Sequence, residues 1–255
     1  MRAIIMAGGF ARRMWPLTQR TPKQLLPLSD GYVILDLVVD GLLELDLDEI
    51  ILSVNRRFSE DFRAWASSRG LDVRMLEEES MREEEKPGAV GALNAMLGSL
   101  EEDDYLVVAG DNVSSISYRD LASLMKGKGA ASVAVYDVGS RDLATRYGVV
   151  ELGPDSRILS LVEKPRNPSS TLISTAIYAM PWRSLSRVRE YVSGGGPRDA
   201  LGHFISWLVS REDVYGFRFQ GYWFDIGGID EYNRVRDLFS RGLIARPRHV
   251  RPGSR

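Results

Sequence analysis

Residues 6–18 read Met6-Ala7-Gly8-Gly9-Phe10-Ala11-Arg12-Arg13-Met14-Trp15-Pro16-Leu17-Thr18, and Thr21-Pro22-Lys23-Gln24-Leu25-Leu26-Pro27 closes the stretch. The apolar run ahead of it, residues 2–7, stops at Gly8-Gly9, which predicts a buried strand emptying into a glycine loop. Glycines after a strand let backbone N–H groups approach phosphate oxygens closely. Arg13 and Lys23 carry the positive charge a triphosphate requires. A bare Gly-Gly-x-x-Arg-Arg also suits an ordinary strand-to-loop turn with surface arginines. Two familiar phosphate loops are excluded by spacing: G-x-x-x-x-G-K-[ST] occurs nowhere, and Gly8–Arg13 does not supply G-x-G-x-x-G.

Outward from this loop, strand and helix patterns alternate. A helix is expected over 34–45, a strand over 50–54, a helix over 58–68 and a strand over 72–76. A helix over 88–100, a strand over 105–109, a helix over 118–125 and a strand over 132–138 follow. Such alternation predicts an α/β fold with a mixed, mainly parallel sheet sandwiched by helices, and ligands at the carboxyl ends of the strands. The second part reads as strands at 147–152, 158–163 and 172–178, separated by Gly153-Pro154 and Pro165–Pro168. Helices near 182–191 and 199–210, short strands near 214–219 and 222–225, and a helix over 230–239 complete it. One domain is expected over 1–244, with a nucleotide half at about 1–140 and a sugar half at about 141–244. Residues 245–255 form a basic tail, expected to fray. The acidic stretch 77–85 reads as an exposed loop.

Composition excludes several classes of chemistry. Of 255 residues none is cysteine, so disulfides, thiolate catalysis and Cys-ligated zinc are ruled out. His203 and His249 are the only histidines, too few for a His-rich metal site. A metal here is expected on carboxylates, which suits Mg²⁺. The net charge of −2 gives no reason to expect a nucleic acid or a membrane as partner. No apolar run approaches the roughly 18 residues that span a bilayer, and the N-terminal run is too short for a secretion signal. A cytoplasmic protein is the default expectation.

The complete string from Ala7 to Pro27 resembles the signature of the sugar-nucleotide pyrophosphorylases. These sugar-phosphate nucleotidyltransferases include thymidylyl-, uridylyl- and guanylyltransferases acting on glucose or mannose 1-phosphate. Their loop reads roughly A-G-G-x-G-T-R-L-x-P-L-T, then P-K-x-L-L-P. Ala7-Gly8-Gly9, Arg13, Pro16-Leu17-Thr18 and Pro22-Lys23-x-Leu25-Leu26-Pro27 match in order and spacing. The chain departs at Ala11, where the family has glycine, and at Arg12, where it has threonine. A methyl at position 11 requires negative φ. Arg12 either adds charge to the loop or points to solvent.

The resemblance continues along the chain, from residue 3 to about 233. Gly110-Asp111-Asn112 resembles the family's metal loop, and Gly221-Tyr222-Trp223-Phe224-Asp225-Ile226-Gly227 its G-x-W-x-D-I-G. This implies Asp111 and Asp225 as Mg²⁺ ligands. Taken alone, Asp111 reads equally well as a helix cap, and Trp223 and Phe224 read as packing residues. Glu163-Lys164-Pro165 resembles E-K-P, which implies Glu163 on sugar hydroxyls and Lys164 on the sugar's phosphate. Tyr147-Gly148-Val149 implies backbone contact of Gly148 with the sugar. Ser174-Thr175-Ala176 stands where the family often reads N-A-G, which places Thr175 at the sugar. Lys86–Leu93 resembles L-G-T-A-G-A-L, with Gly88 approaching the base.

By this resemblance Arg13 grips the β- and γ-phosphates, Lys23 neutralises the α-phosphate, and Lys164 completes the catalytic set. The backbone of Ala7, Gly8 and Gly9, with Arg12, holds the nucleotide. The implied reaction joins a nucleoside triphosphate to a sugar 1-phosphate with release of pyrophosphate, Mg²⁺-dependent, and a homo-oligomer is compatible with it. Two other readings remain open: a same-fold enzyme with a non-sugar acceptor such as phosphocholine, and a nucleotide-binding regulatory protein with a degenerate site.

Overall fold

The computed structural model describes residues 1–250. The N-terminal apolar run forms the strand Arg2–Met6, with Ala3, Ile4 and Ile5 fully buried. The described chain divides into two compact units, each gathered from separated segments.

One unit takes Ala3–Lys86, Ala109–Ser114 and the chain from Tyr222 onward. In it the strands Arg2–Met6, Glu49–Asn55 and Arg74–Glu78 lie side by side in that order, the last two parallel. Residues 50–55 are all buried, as expected for a strand covered on both faces. The helix Ile34–Leu42 starts with Asp36 accepting from the Val33 N–H at 2.8 Å. Asp36 is wholly buried and also receives Trp65 Nε1–H (2.8 Å) and two Arg69 N–H bonds (2.9 and 2.7 Å) from the helix Ser59–Arg69. A buried carboxylate with this many donors is satisfied, so it locks the two helices together. A second apolar cluster joins Met14, Leu26, Ile34 and Val113 to Val235 and Phe239 of the helix Ile229–Ser240. It anchors the glycine loop from below.

The other unit takes residues 1–2, Pro87–Val108 and Ser115–Gly221. Its long strand Leu172–Met180 pairs antiparallel with Tyr105–Ala109, Ser132–Asp137 and Gly148–Leu152. Ser132–Asp137 pairs parallel with Tyr215–Arg218, and Gly148–Leu152 antiparallel with Ile158–Glu163. Helices Ala89–Met96, Tyr118–Lys128, Val188–Ser193 and Leu201–Val209 accompany them. The chain is a mixed α/β protein of strands flanked by helices, as its alternation predicts.

Several expectations need correction. The helix expected over 182–191 is two short ones, Trp182–Leu185 and Val188–Ser193. Two pairings were not anticipated: Asn112–Ser114 with Trp223–Asp225, and Pro27–Ser29 with Tyr32–Val33. Of these only the strand near 222–225 was expected; the other three are too short to show a period of two. The acidic stretch is not all loop. Glu77 and Glu78 finish the strand Arg74–Glu78, and Glu83–Glu85 form a 3₁₀ turn. Of the tail, residues 245–250 are described and dock rather than fray: Arg248 and His249 N–H groups both donate to Asp40 at 2.6 Å, and Val250 is buried. Arg251 and Arg255 lie outside the described residues. Among those described, no helix is long and apolar enough to cross a membrane.

Candidate active site

The glycine loop leaves the strand Arg2–Met6 with Ala7 buried and its N–H bonded to the Ser53 carbonyl at 2.7 Å. The Gly8 carbonyl receives Asn55 Nδ2–H at 3.2 Å, and the fully buried Asn55 also accepts from the Phe58 N–H. Gly9 is exposed, with open space where a Cβ would stand. Arg12 and Arg13 open a 3₁₀ turn, both exposed.

Ala11 lies in the left-handed region, φ 49° and ψ 46°. The expectation of negative φ is therefore wrong. The loop keeps the backbone a glycine would adopt and tolerates the methyl, which packs at the edge of the apolar cluster. The conformation is held by Thr18 Oγ1–H on the Ala11 carbonyl at 2.8 Å and the Met14 N–H on the same oxygen at 2.9 Å. Arg12 is paired with Glu84 at 2.5 Å and lies over the Trp15 ring. The acidic stretch thus supplies its partner.

Lys23, at the start of a 3₁₀ turn, forms an ion pair with Asp111. The other carboxylate oxygen of Asp111 accepts from Asn112 Nδ2–H at 3.1 Å, and Asn112 Oδ1 accepts from Trp223 Nε1–H at 2.6 Å. Asn112 and Trp223 are buried. Trp223 is a packing residue, as read from the sequence, and also the donor that fixes the amide beside Asp111. The antiparallel pairing sets Asp225 opposite Asn112, and the Ile226 N–H donates to the Asp111 carbonyl at 3.2 Å. Asp111 and Asp225, far apart in sequence, are brought together. Gly110 lets the segment before Asp111 pack against the strand Arg2–Met6: a Cβ there would stand 3.0 Å from Ile5 Cγ2 and 3.2 Å from the Met6 carbonyl.

No cluster of three or more potential metal-ligating His, Asp or Glu occurs among the described residues. Two carboxylates fit Mg²⁺ nonetheless, because it keeps waters and takes one or two carboxylates plus substrate phosphates instead of an all-protein cage.

The remaining expected residues lie in the other unit. Glu163 ends its strand opposite Gly148. A Cβ on Gly148 would stand 2.9 Å from Glu163 Oε2, and one on Gly202 only 1.9 Å from it. Two glycines therefore make the slot in which this carboxylate lies. Burial pushes the Glu163 carboxyl above its usual range, a shift that Lys164 and His203 oppose and Asp199 reinforces. Lys164 is exposed, with positive φ and Nζ 3.8 Å from Glu163. Thr175 is fully buried and donates its hydroxyl to the Ala134 carbonyl at 3.0 Å, so only its backbone is left for a ligand. Ala176 has φ 55°, again the conformation of the glycine it replaces.

Gly88 also has positive φ, and a Cβ there would stand 2.2 Å from the Arg198 carbonyl. The first N–H groups of the helix Ala89–Met96 donate to the carbonyls of Arg198 and Asp199. Within the chain, the close approach that Gly88 permits is to the backbone at Arg198. Sequence reasoning missed Asn112 as a positioning group, and Gly202 and His203 beside Glu163. Gly202 left a signal, an isolated glycine inside a helical pattern.

A glycine loop at the end of a buried strand, two aspartates on neighbouring segments and a lysine paired with one of them make up the candidate site of this α/β protein. The family model for nucleotidyl transferases matches residues 2–240, and the chain belongs to that family. Among solved structures, it is similar to a putative glucose-1-phosphate thymidylyltransferase from Bacillus anthracis in complex with a sucrose. The TM-score is 0.80 at 23% identity, over 93% of this chain and 94% of that one. It is also similar to a UDP-glucose pyrophosphorylase complexed with UDP-glucose. There the TM-score is 0.78 at 17% identity, over 94% of this chain and 98% of the other. At these identities the likeness establishes the fold.

Proposed function

We propose that the chain transfers a nucleotidyl group from a nucleoside triphosphate to a sugar 1-phosphate, giving a nucleoside-diphosphate sugar and pyrophosphate. The observation that carries this reading is the Asp111 carboxylate held between Lys23 and Asn112, with Asp225 brought beside it at the glycine loop. The solved structures similar in fold, named for glucose-1-phosphate and UDP-glucose chemistry, support the sugar acceptor.

Backbone N–H groups of residues 7–9 and the guanidinium of Arg13 bind the triphosphate, and Arg12 adds charge at its edge. Lys23 exchanges Asp111 for the α-phosphate. Glu163 accepts hydrogen bonds from sugar hydroxyls in the slot between Gly148 and Gly202, and Lys164 binds the sugar's phosphate. A phosphate oxygen of the acceptor forms the new bond to the α-phosphorus, and the bond to the pyrophosphate oxygen breaks. That nucleophile is already an anion, so no general base is required. Asp111 and Asp225 would hold Mg²⁺, which would supply charge neutralisation for the phosphates. The barrier is mostly repulsion between anions, so positioning and fixed positive charge suffice.

The test is pyrophosphate release from each nucleoside triphosphate with a panel of sugar 1-phosphates and with phosphocholine. Release is expected only with a sugar phosphate present and is abolished by chelation. Asp111→Asn is expected to fold normally and lose about 10²–10³ in rate. Full turnover in that variant removes Asp111 from the mechanism. Release with phosphocholine alone replaces the sugar acceptor.

A further inference from the structure

A cavity of about 450 Å³ lies wholly within the unit that contains Ser115–Gly221. That volume suits a small ligand. Ala130 and Tyr215 line it where the parallel strands Ser132–Asp137 and Tyr215–Arg218 begin, and none of the residues given to the reaction above takes part. Its other walls are charged. Both carboxylates are already matched: Glu212 accepts from Arg187 at 3.1 Å and from the Ser184 hydroxyl, and Asp213 pairs with Arg157 at 3.2 Å. Three further cations line the cavity, Lys128, Arg183 and Arg211, all exposed, and among the described residues none of them has a carboxylate partner. Lys128 and Arg211 stand at the ends of the helices Tyr118–Lys128 and Leu201–Val209, where a cation complements the dipole. Arg183 does not fit that account. It lies in the first turn of Trp182–Leu185 and reaches across to donate to the Gly129 carbonyl. Two of the three are held in place by rings: Lys128 Nζ is 4.6 Å from the Tyr215 centroid, and Arg211 Cζ is 4.1 Å from that of Trp207. Side chains ordered in this way lose less rotamer freedom when an anion binds.

We infer that this cavity binds a small molecule that carries two phosphoryl groups and no aromatic base. One phosphate group carries about −1.5 to −2 charge at pH 7, which leaves about one of the three cations unmatched; two groups carry about −3 to −4. Each phosphoryl group also offers three acceptor oxygens, which suit two guanidinium forks and an ammonium better than a carboxylate's two. Among the described residues lining the cavity Tyr215 is the one aromatic, and Lys128 lies over its ring, so a base finds no open ring to stack on. The site stands whether or not the chain releases pyrophosphate, because it shares no residue with the proposed reaction.

The experiment measures equilibrium binding of fructose 1,6-bisphosphate, fructose 6-phosphate, inorganic pyrophosphate and citrate to the full chain by calorimetry at low salt. Wild type is compared with Lys128→Ala, Arg211→Ala, Lys126→Ala and Lys164→Ala. Lys126 is an exposed lysine of the same helix that does not line the cavity, and Lys164 belongs to the candidate active site. The bisphosphate is expected to bind about tenfold or more tighter than the monophosphate. Lys128→Ala and Arg211→Ala are each expected to weaken it about tenfold, and Lys126→Ala and Lys164→Ala to leave it unchanged. The side chains removed are exposed, and an unchanged unfolding midpoint without ligand verifies that each variant is folded. Pyrophosphate binding tighter than the bisphosphate, with the same losses in Lys128→Ala and Arg211→Ala, supports the site and sets the two phosphoryl groups next to each other. Citrate binding as tightly as the bisphosphate overturns the phosphoryl assignment. Absence of binding by both diphosphorylated probes, a loss in Lys126→Ala equal to that in Lys128→Ala, or a loss confined to Lys164→Ala overturns the site.

Discussion

At the scale of single residues, two alanines stand in left-handed backbone where glycine is unstrained. Ala11 carries a cost of roughly 1–2 kcal/mol for that conformation. Ala11→Gly is therefore expected to stabilise the chain by about 1 kcal/mol in urea unfolding, and no gain would mean the methyl's packing offsets the strain. Glu163 behaves oppositely with pH. Its folded-state pKa lies above the ordinary value of 4.5, so the folded chain binds a proton more tightly than the unfolded chain. Stability from this group is present at low pH and is lost as pH rises from about 4.5 through the raised folded pKa. Glu163→Gln is expected to raise Tm above that window and to match wild type near pH 4, while its sugar-phosphate affinity falls. Equal Tm shifts at both pH values would indicate a packing effect instead.

At the scale of elements, the candidate site depends on where helices and strands begin and end. The helix Leu201–Val209 carries Gly202 against the Glu163 carboxylate, and the strand end at Gly148 does the same from the other side. Gly202→Ala is expected to displace that carboxylate. The KM for the sugar phosphate should rise at least tenfold, with the KM for the nucleotide unchanged. Parallel increases in both would place the effect in folding. The short pair Asn112–Ser114 and Trp223–Asp225 does comparable work in the other unit, because its register sets Asp225 opposite Asn112 and lets Trp223 hold the Asn112 amide.

At the scale of the whole molecule, chain order and spatial grouping differ. The unit holding the glycine loop also collects residues 109–114 and the chain from Tyr222 onward, so Lys23, Asp111 and Asp225 belong together although they come from three separate segments. The other unit collects Gly88, Gly148, Glu163, Lys164 and Thr175.

The sequence by itself determined the α/β class, because buried strands and amphipathic helices write their periods into any short window. Tyr105–Ala109 and Ile158–Glu163 fall at their expected bounds for that reason. It also determined the family, through the loop Ala7–Pro27 and the strings around Asp111 and Asp225. Only the tertiary structure decided the backbone of Ala11, the burial of Thr175 and the partner of Arg12. It alone revealed that Gly88 faces the Arg198 carbonyl and that Glu78 rests on Gly8. Each of these depends on atoms contributed by residues distant in sequence, and local periodicity carries no record of which distant backbone or charge will arrive beside a given side chain.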